Sequence, residues 1–176
     1  MAPRRIAVGL YHRNNLSEGR MRDIFEHKAY HWGIFVLAGE SGRHHWSFEA
    51  TDASEIDPVT FKLNNPTMDW WFRGQDSIDP ERSSKLLGMV IIGEIPDELS
   101  FDGMEAIMEA VPLPIRNREP QQSCVTWVGN AIQALQRQGW VPKEIDIDRF
   151  KDFALEYGDD RMKREHATKP KTVPYP

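Results

Sequence analysis

The strongest constraint on the fold is a pair of neighbouring segments, HWGIFVLA at 31–38 and HHWSFEAT at 44–51. The first is uniformly apolar, which is typical of a strand buried on both faces. Between them lies ESGR at 40–43, a four-residue hairpin signal that contains a glycine. The second segment alternates, with apolar Trp46, Phe48 and Ala50 on one face and polar His45, Ser47 and Glu49 on the other. The two segments predict a hairpin in the middle of a β-sheet.

Helical spacing of apolar residues occurs mainly in the second half of the chain. Three helices are predicted there, each with a capping residue at its start: Ser100 to Val111, about Ser123 to Gln138, and Asp148 to Gly158. Further strands are predicted at 4–12 and 85–95, and a polar connection with one helical turn at 14–29. Early strands and late helices indicate an α+β domain, with a largely antiparallel sheet covered by helices on one face.

The length and composition suit one domain. With 40% hydrophobic residues among 176, the chain can bury a core without metal or disulfide staples. We expect the domain at residues 1–166 and a disordered tail, rich in Pro and Lys, at 167–176. No apolar run is long enough to cross a bilayer, and the N-terminal segment becomes polar too early for a signal peptide. The single cysteine cannot form an internal disulfide, so a cytoplasmic location is predicted.

The net charge of −5 is unevenly distributed, since the middle of the chain is acidic and both ends are basic. An acidic middle argues against a protein that wraps a nucleic-acid backbone, although the basic C-terminal residues are of the type that contacts phosphates. A solvated terminal segment is the alternative interpretation. Transfer RNA therefore stays a candidate partner that the sequence does not favour.

Cys124 is the first residue of interest for chemistry. With Ser123 or Gln122 as the helix cap, its sulfur lies in the first helical turn, where free backbone N–H groups and the helix dipole favour an anion. Such a position lowers the pKa of a thiol and offers donors for an oxyanion. The alternative is a core residue, because Cys124 shares a helical stripe with Val128, Ala131 and Leu135.

A nucleophilic thiol needs a base and a group that orients the base. His31 opens the buried strand at 31–38, and Glu49 or His45 on the partner strand is within plausible reach of it. The alternatives are a hydrogen-bonded structural histidine and an exposed strand carboxylate. A metal site built from His44, His45 and Glu49 is disfavoured, because adjacent histidines point to opposite faces and there is no second ligand cluster. We therefore expect no metal and no cofactor.

Two motifs, YHWGIFV around His31 and QSCVTWV around Cys124, carry a resemblance to a known family. Their order resembles the circularly permuted branch of the papain-like, NlpC-type thiol enzymes, which includes the lecithin retinol acyltransferase family. There a histidine in an HWALYV-like strand precedes a helix-opening cysteine in an NCEHFV-like motif. The chain is also similar to short fungal proteins of comparable length.

This resemblance implies a papain-like core with Cys124 as the nucleophile, His31 as the general base and Glu49 as the orienting residue. The family more often has histidine in the third role, so Glu49 is a departure from its pattern. The chemistry implied is acyl transfer through a thioester.

Candidate substrate contacts come from TMDWWFRGQDSIDPE at 67–81. Trp70 and Trp71 could wall a pocket together with Phe72, although core packing is expected for two of the three aromatic residues. Arg73 could hold a carboxylate or extend into solvent. Gln121 or Gln122, just before the cysteine helix, could add an oxyanion donor or belong to a solvated loop.

Three functions remain as hypotheses from the sequence. The first is a cysteine-dependent hydrolase or acyltransferase that acts on a small acyl or peptide-like substrate. The second is RNA-dependent aminoacyl transfer that forms a cyclic dipeptide, a chemistry of small fungal biosynthetic proteins. The third is a non-catalytic binding module on the same fold, with residues 70–72 as its contact surface.

Overall fold

A computed structural model of the protein describes residues 3–39, 44–163 and 170–176. These residues form eight strands, β1 Arg4–His12, β2 Tyr30–Leu37, β3 His45–Thr51, β4 Glu55–Ile56, β5 Leu63–Asn64, β6 Trp71–Ile78, β7 Leu86–Ile95 and β8 Lys171–Pro174. They also form four α-helices, α1 Gly19–Phe25, α2 Phe101–Glu109, α3 Cys124–Arg137 and α4 Ile147–Lys163. Short 3-10 turns lie at Asn14–Ser17, Glu26–Ala29 and Pro80–Arg82.

Six of the strands form one sheet in the order β6-β3-β2-β1-β7-β8. All its pairings are antiparallel except that of β7 with β8, which is parallel. The predicted central position of β2 and β3 is confirmed, and so is the α+β class with a largely antiparallel sheet. The hairpin predicted at 40–43 lies outside the described residues.

The two faces of this sheet have different neighbours. One face packs with α2, α3 and α4 around a large core, to which β2 contributes Trp32, Ile34 and Val36. The other face carries a small cluster without helical residues, formed by Ala7, Phe35, Leu37, Leu86 and Met89. Because strand side chains alternate between faces, His31 belongs to the face that the three helices leave open.

The helix at residues 147–163 differs from its prediction at both ends. Its cap is Asp146 instead of Asp148, since the Asp146 side chain accepts from the Arg149 N–H at 2.9 Å. Gly158 does not end it but lies inside it. A Cβ at Gly158 would stand 3.1 Å from a Tyr30 ring carbon, so the glycine allows the helix to approach the sheet closely and continue.

The predicted disorder at 167–176 is wrong for Lys171–Pro174, which form β8; residues 167–169 lie outside the described residues. Strand pairing with β7 is continued by Tyr175, whose N–H donates to the Ile91 carbonyl at 2.9 Å. The Tyr175 ring also makes edge-on contacts with Phe150 and Phe153, at centroid distances of 5.2 and 5.1 Å. These aromatic contacts hold a polar segment that local composition alone would leave unfolded.

Strand β6 was not predicted, although it contains the aromatic cluster at 70–72. It pairs with β3 in a register that places Arg73 opposite Glu49. Trp70 and Phe72 pack against the large core, in agreement with the expectation for two of the three aromatic residues. The Trp71 indole N–H donates to the Ala53 carbonyl at 3.1 Å.

Within the part of the chain that the structure describes, the helices are too short or too polar to cross a membrane.

Candidate active site

Cys124 is the first residue of α3, as the sequence predicts. The Ser123 hydroxyl caps the helix by accepting from the Val125 N–H at 3.2 Å, and the Thr126 hydroxyl accepts from the Ser123 N–H at 3.0 Å. This reciprocal cap fixes the point where the helix begins. Cys124 is 4% exposed, so its sulfur lies almost entirely within the protein.

The fold brings His31 to this sulfur. The Cys124 side chain lies beside the His31 imidazole and the backbone N–H of Trp32. The Nε2 atom of His31 lies 2.9 Å from Glu49 Oε2, which leaves Nδ1 as the ring nitrogen available to the sulfur. Three residues from separate segments therefore form one chain of contacts from thiol to imidazole to carboxylate.

Burial and charge act against each other in the Cys124–His31 pair. Burial favours the neutral forms, because it lowers the pKa of the imidazole and raises the pKa of the thiol. The attraction between the two charged forms and their hydrogen bond outweigh burial, so the pKa of His31 rises to about 10 and the pKa of Cys124 falls. Both directions favour a thiolate–imidazolium pair, the ionic form that attacks carbonyl carbon.

Glu49 is buried, and both of its carboxylate oxygens have partners. Burial by itself would raise its pKa, but contacts with His31 and Arg73 keep the pKa of this carboxyl below its ordinary value. Its Oε1 atom accepts from Arg73 Nε at 2.9 Å and also from Arg73 Nη2, while Oε2 faces His31. An ionised Glu49 can thus stabilise the imidazolium of His31 by its charge and fix the orientation of the ring by its hydrogen bond.

His45, the alternative to Glu49, lies elsewhere. Its Nδ1 atom accepts from the Ala38 N–H at 3.1 Å, at the far end of the β2–β3 pair. The structure therefore brings Glu49, and not His45, into contact with His31. Among the described residues there is no group of three or more His, Cys, Asp or Glu side chains arranged to hold a metal ion.

A cavity of about 530 Å³ opens on the helix-free face of the sheet beside His31 and Glu49. Most of its lining side chains are polar, and they include Tyr11, Arg13, Ser47, Arg73, Gln75 and Lys85. Cys124 is not among the lining residues, so a molecule in this cavity meets the imidazole and the carboxylate directly.

The four predicted substrate-binding residues are separated in the structure. Arg73 lines the cavity, whereas Trp70, Trp71 and Gln122 do not. The carboxylate that Arg73 holds is that of Glu49, within the same chain. The Gln122 side-chain oxygen accepts from the Ile115 N–H at 2.8 Å, and it fixes the loop that precedes α3.

Tyr11 is a site residue that sequence reasoning missed. It pairs with His31 across β1 and β2, and the two ring centroids are 5.7 Å apart. Burial, and then the charge of Glu49, raise the pKa of the Tyr11 phenol, so its hydroxyl stays protonated in the cavity. Only the register of β1 against β2, which local patterns do not determine, could have indicated this neighbour.

Comparisons with known proteins identify a family. The model of DUF6914, described as a family of unknown function, matches residues 4–173. The comparison with curated proteins found no match, and neither did the comparison with solved structures.

Proposed function

The chain belongs to the DUF6914 family, and for it we propose a cysteine-dependent acyl-transfer activity through a thioester. The observation that carries this proposal is the contact chain from the Cys124 thiol through His31 to Glu49. A papain-like core is part of the proposal. It is supported by the order of a histidine-bearing strand, a carboxylate on the adjacent strand and a helix-opening cysteine.

The reaction begins with attack of the Cys124 thiolate on the carbonyl carbon of an ester, amide or thioester. The C–S bond forms as the carbonyl π electrons move to oxygen, which gives the oxyanion of a tetrahedral intermediate. The oxyanion then collapses and expels the leaving group, which takes the proton from the His31 imidazolium. The products are a thioester on Cys124 and a neutral His31.

The second half returns the enzyme to its starting state. Neutral His31 removes a proton from water or from an amine as it attacks the thioester carbonyl. Collapse of the second oxyanion breaks the C–S bond, which releases the acyl product and restores the thiolate–imidazolium pair. Water as acceptor makes the protein a hydrolase, and an amine makes it an acyltransferase.

We assign a small acyl or peptide-like substrate with polar groups to the cavity beside His31; Cys124 does not line it, so the acyl carbon must pass the imidazole to reach the sulfur. The cavity volume of about 530 Å³ is that of an ordinary small-molecule site, and its polar lining provides donors and acceptors. A cytoplasmic location belongs to the same proposal, because a reducing compartment keeps a lone thiol free.

Aminoacyl transfer from a charged RNA, leading to a cyclic dipeptide, is the second candidate. The observation that favours it is a pair of cations along the cavity, Arg13 and Lys85, since cationic side chains contact phosphates. The chemistry at Cys124 is the same, with one aminoacyl-RNA ester as acyl donor and the amine of a second aminoacyl-RNA ester as acceptor. The free amine of the resulting dipeptidyl ester then attacks its own ester carbonyl and expels the RNA, which closes the ring.

Intact-mass spectrometry after incubation with defined donors tests the proposal. The donors are p-nitrophenyl acetate, an acyl-coenzyme A thioester and aminoacylated transfer RNA. A covalent acyl adduct is expected on the wild-type protein and not on Cys124→Ala. Adduct formation from the charged RNA alone, with binding that weakens steeply as salt rises, would select the second candidate. An adduct from none of the three donors, or an equal adduct in Cys124→Ala, would contradict both and favour a binding module.

A further inference from the structure

The Arg73 guanidinium lies between two carboxylates. Its Nε donates to Glu49 Oε1 at 2.9 Å, and its Nη2 donates to the same oxygen. Its Nη1 donates to Glu55 Oε1 on β4, which pairs with β5 in a separate two-stranded sheet. Arg73, for which the sequence left open a substrate carboxylate or solvent, is thus paired with two carboxylates of its own chain.

The two oxygens of Glu49 are divided between two partners. Oε1 is held by Arg73, and Oε2 lies 2.9 Å from His31 Nε2. The register of β3 with β6 pairs Glu49 directly with Arg73, so the backbone itself sets their separation. Arg73 therefore fixes the direction in which the second carboxylate oxygen points.

We propose that Arg73 is a positioning residue, which holds Glu49 in the orientation that accepts from His31 and acts on Cys124 only through Glu49 and His31. The inference rests on the Cys124–His31 pair of the proposed function. It assigns no contact between Arg73 and substrate, in contrast to the role predicted from the sequence.

Loss of the Arg73 cation is expected to disfavour the thiolate in either ionisation state of Glu49. If Glu49 stays ionised, the cluster gains an uncompensated negative charge, which opposes a second anion at Cys124. If Glu49 becomes protonated, the imidazolium of His31 loses its charged partner. Both routes reduce the thiolate fraction at acidic pH.

The rate of Cys124 alkylation by iodoacetamide, measured from pH 4.5 to 9, reports the thiolate fraction. Arg73→Gln is expected to move the midpoint of this profile upwards by about one pH unit, which slows alkylation about tenfold below the midpoint. Arg73→Lys keeps a cation but loses the planar guanidinium. Its midpoint is expected to lie between those of the wild type and Arg73→Gln. Arg82→Gln is the matched control, because Arg82 is 89% exposed and its ion pair is with Asp79; its midpoint should equal that of the wild type.

A double-mutant cycle tests whether Arg73 acts through Glu49. In the Glu49→Gln background, Arg73→Gln is expected to change the midpoint by much less than it does in the wild type. Shifts of equal size in both backgrounds would overturn the inference, because Arg73 would then act independently of Glu49.

The same profiles separate this inference from the proposed function. If the midpoint of the wild-type alkylation profile is low and Arg73→Gln does not change it, the role of Arg73 is overturned. The ionic pair of Cys124 and His31 is then still supported. A wild-type midpoint at the ordinary thiol pKa of 9.0 would overturn both. If Arg73→Gln does not fold, as judged by circular dichroism, an unchanged midpoint in Arg73→Lys overturns the inference instead.

Discussion

At the scale of single residues, Cys124 and His31 show how a buried site can keep two charges. Neither charge would persist alone at this depth, because burial penalises an isolated ion. Each is retained because the other lies within hydrogen-bonding distance, and because Glu49 and the Trp32 N–H support the two ends of the pair. The ionic state of the thiol is thus a property of the pair and its supports.

Alkylation of Cys124 is therefore expected to depend on His31. At pH 6 the wild-type thiol should react with iodoacetamide faster than a free peptide thiol of the same concentration. His31→Ala should slow the reaction by about tenfold for each unit by which the pKa of the thiol rises. The measurement is loss of iodoacetamide-reactive thiol with time, followed by intact-mass spectrometry.

His12→Ala is the matched control for that experiment. His12 lines the same cavity, but its Nε2 contacts the Ser84 carbonyl at 3.3 Å. Its replacement should leave the alkylation rate unchanged. Equal slowing by both histidine variants would indicate a general disturbance of the cavity and would count against a specific Cys124–His31 pair.

At the scale of elements, the site is assembled by strand register and by one helix cap. The β1–β2 and β3–β6 pairings place Tyr11 beside His31 and Arg73 beside Glu49. The cap at Ser123 sets the position at which α3 presents Cys124. Helix α4 supports the opposite side of β2, where the Tyr30 hydroxyl donates to Asp159 at 2.6 Å.

Close packing of α4 against the sheet gives a prediction for Gly158→Val. The added side chain must enter space within 3.1 Å of the Tyr30 ring, and overpacking of this kind costs about 1–3 kcal/mol of the free energy of unfolding. Chemical denaturation measures the loss. Val is intrinsically a better helix former than Gly, so a destabilised variant would identify the contact as the cause.

Asp160→Val in the same helix is the control for Gly158→Val. Asp160 is exposed, so this change alters helix propensity without entering the core, and a change of less than about 0.5 kcal/mol is expected. Similar losses from both variants would contradict the packing argument.

At the scale of the whole molecule, the two faces of the sheet have separate roles. The face covered by α2, α3 and α4 holds the large core that supplies most apolar burial. The other face has only a small apolar cluster and the polar cavity. Cys124 is supplied by helix α3, on the helix-covered face of the sheet, and His31 belongs to the opposite face. The candidate site therefore lies where the helical layer meets the sheet.

The coupled pair predicts how global stability depends on pH. The pKa of Cys124 is lowered on folding from its ordinary value of 9.0, and the pKa of His31 is raised from 6.5 to about 10. Where the folded thiol is ionised and the unfolded thiol is not, the unfolded chain carries the additional proton, so the stabilisation from Cys124 falls as pH drops through its lowered pKa. Above about pH 9 the folded protein holds the additional proton, on His31, so the stabilisation falls as pH rises through about 10.

Unfolding of wild type and Cys124→Ser in urea at a series of pH values tests this dependence. The difference in the free energy of unfolding between them should form a plateau between about pH 6.5 and 9 and decline on both sides. A difference that does not vary with pH would show that the thiol is un-ionised in the folded protein.

Much of the architecture could be predicted from local patterns. The strands at 4–12, 31–38, 44–51 and 85–95 and the helices after Ser100 and Ser123 were all predicted close to their observed positions. The segment at 67–81 predicts candidate substrate contacts, with core packing for two of Trp70, Trp71 and Phe72, because three consecutive aromatic residues cannot all face one core. Residues 71–78 of this segment form strand β6 because they pair with β3, a contact that the local sequence does not indicate.

The sequence by itself determined which residues carry reactive groups, where the helices with Ser caps begin, and which faces of the alternating strands are apolar. These features depend on interactions within a few residues of the chain, such as a cap or a two-residue repeat. The tertiary structure alone decided that α4 passes Gly158, that β8 forms, that Arg73 binds Glu49, and that Tyr11 lies beside His31. Each of these depends on strand register or on the docking of distant segments, because those contacts exist only once the sheet and its helices have come together.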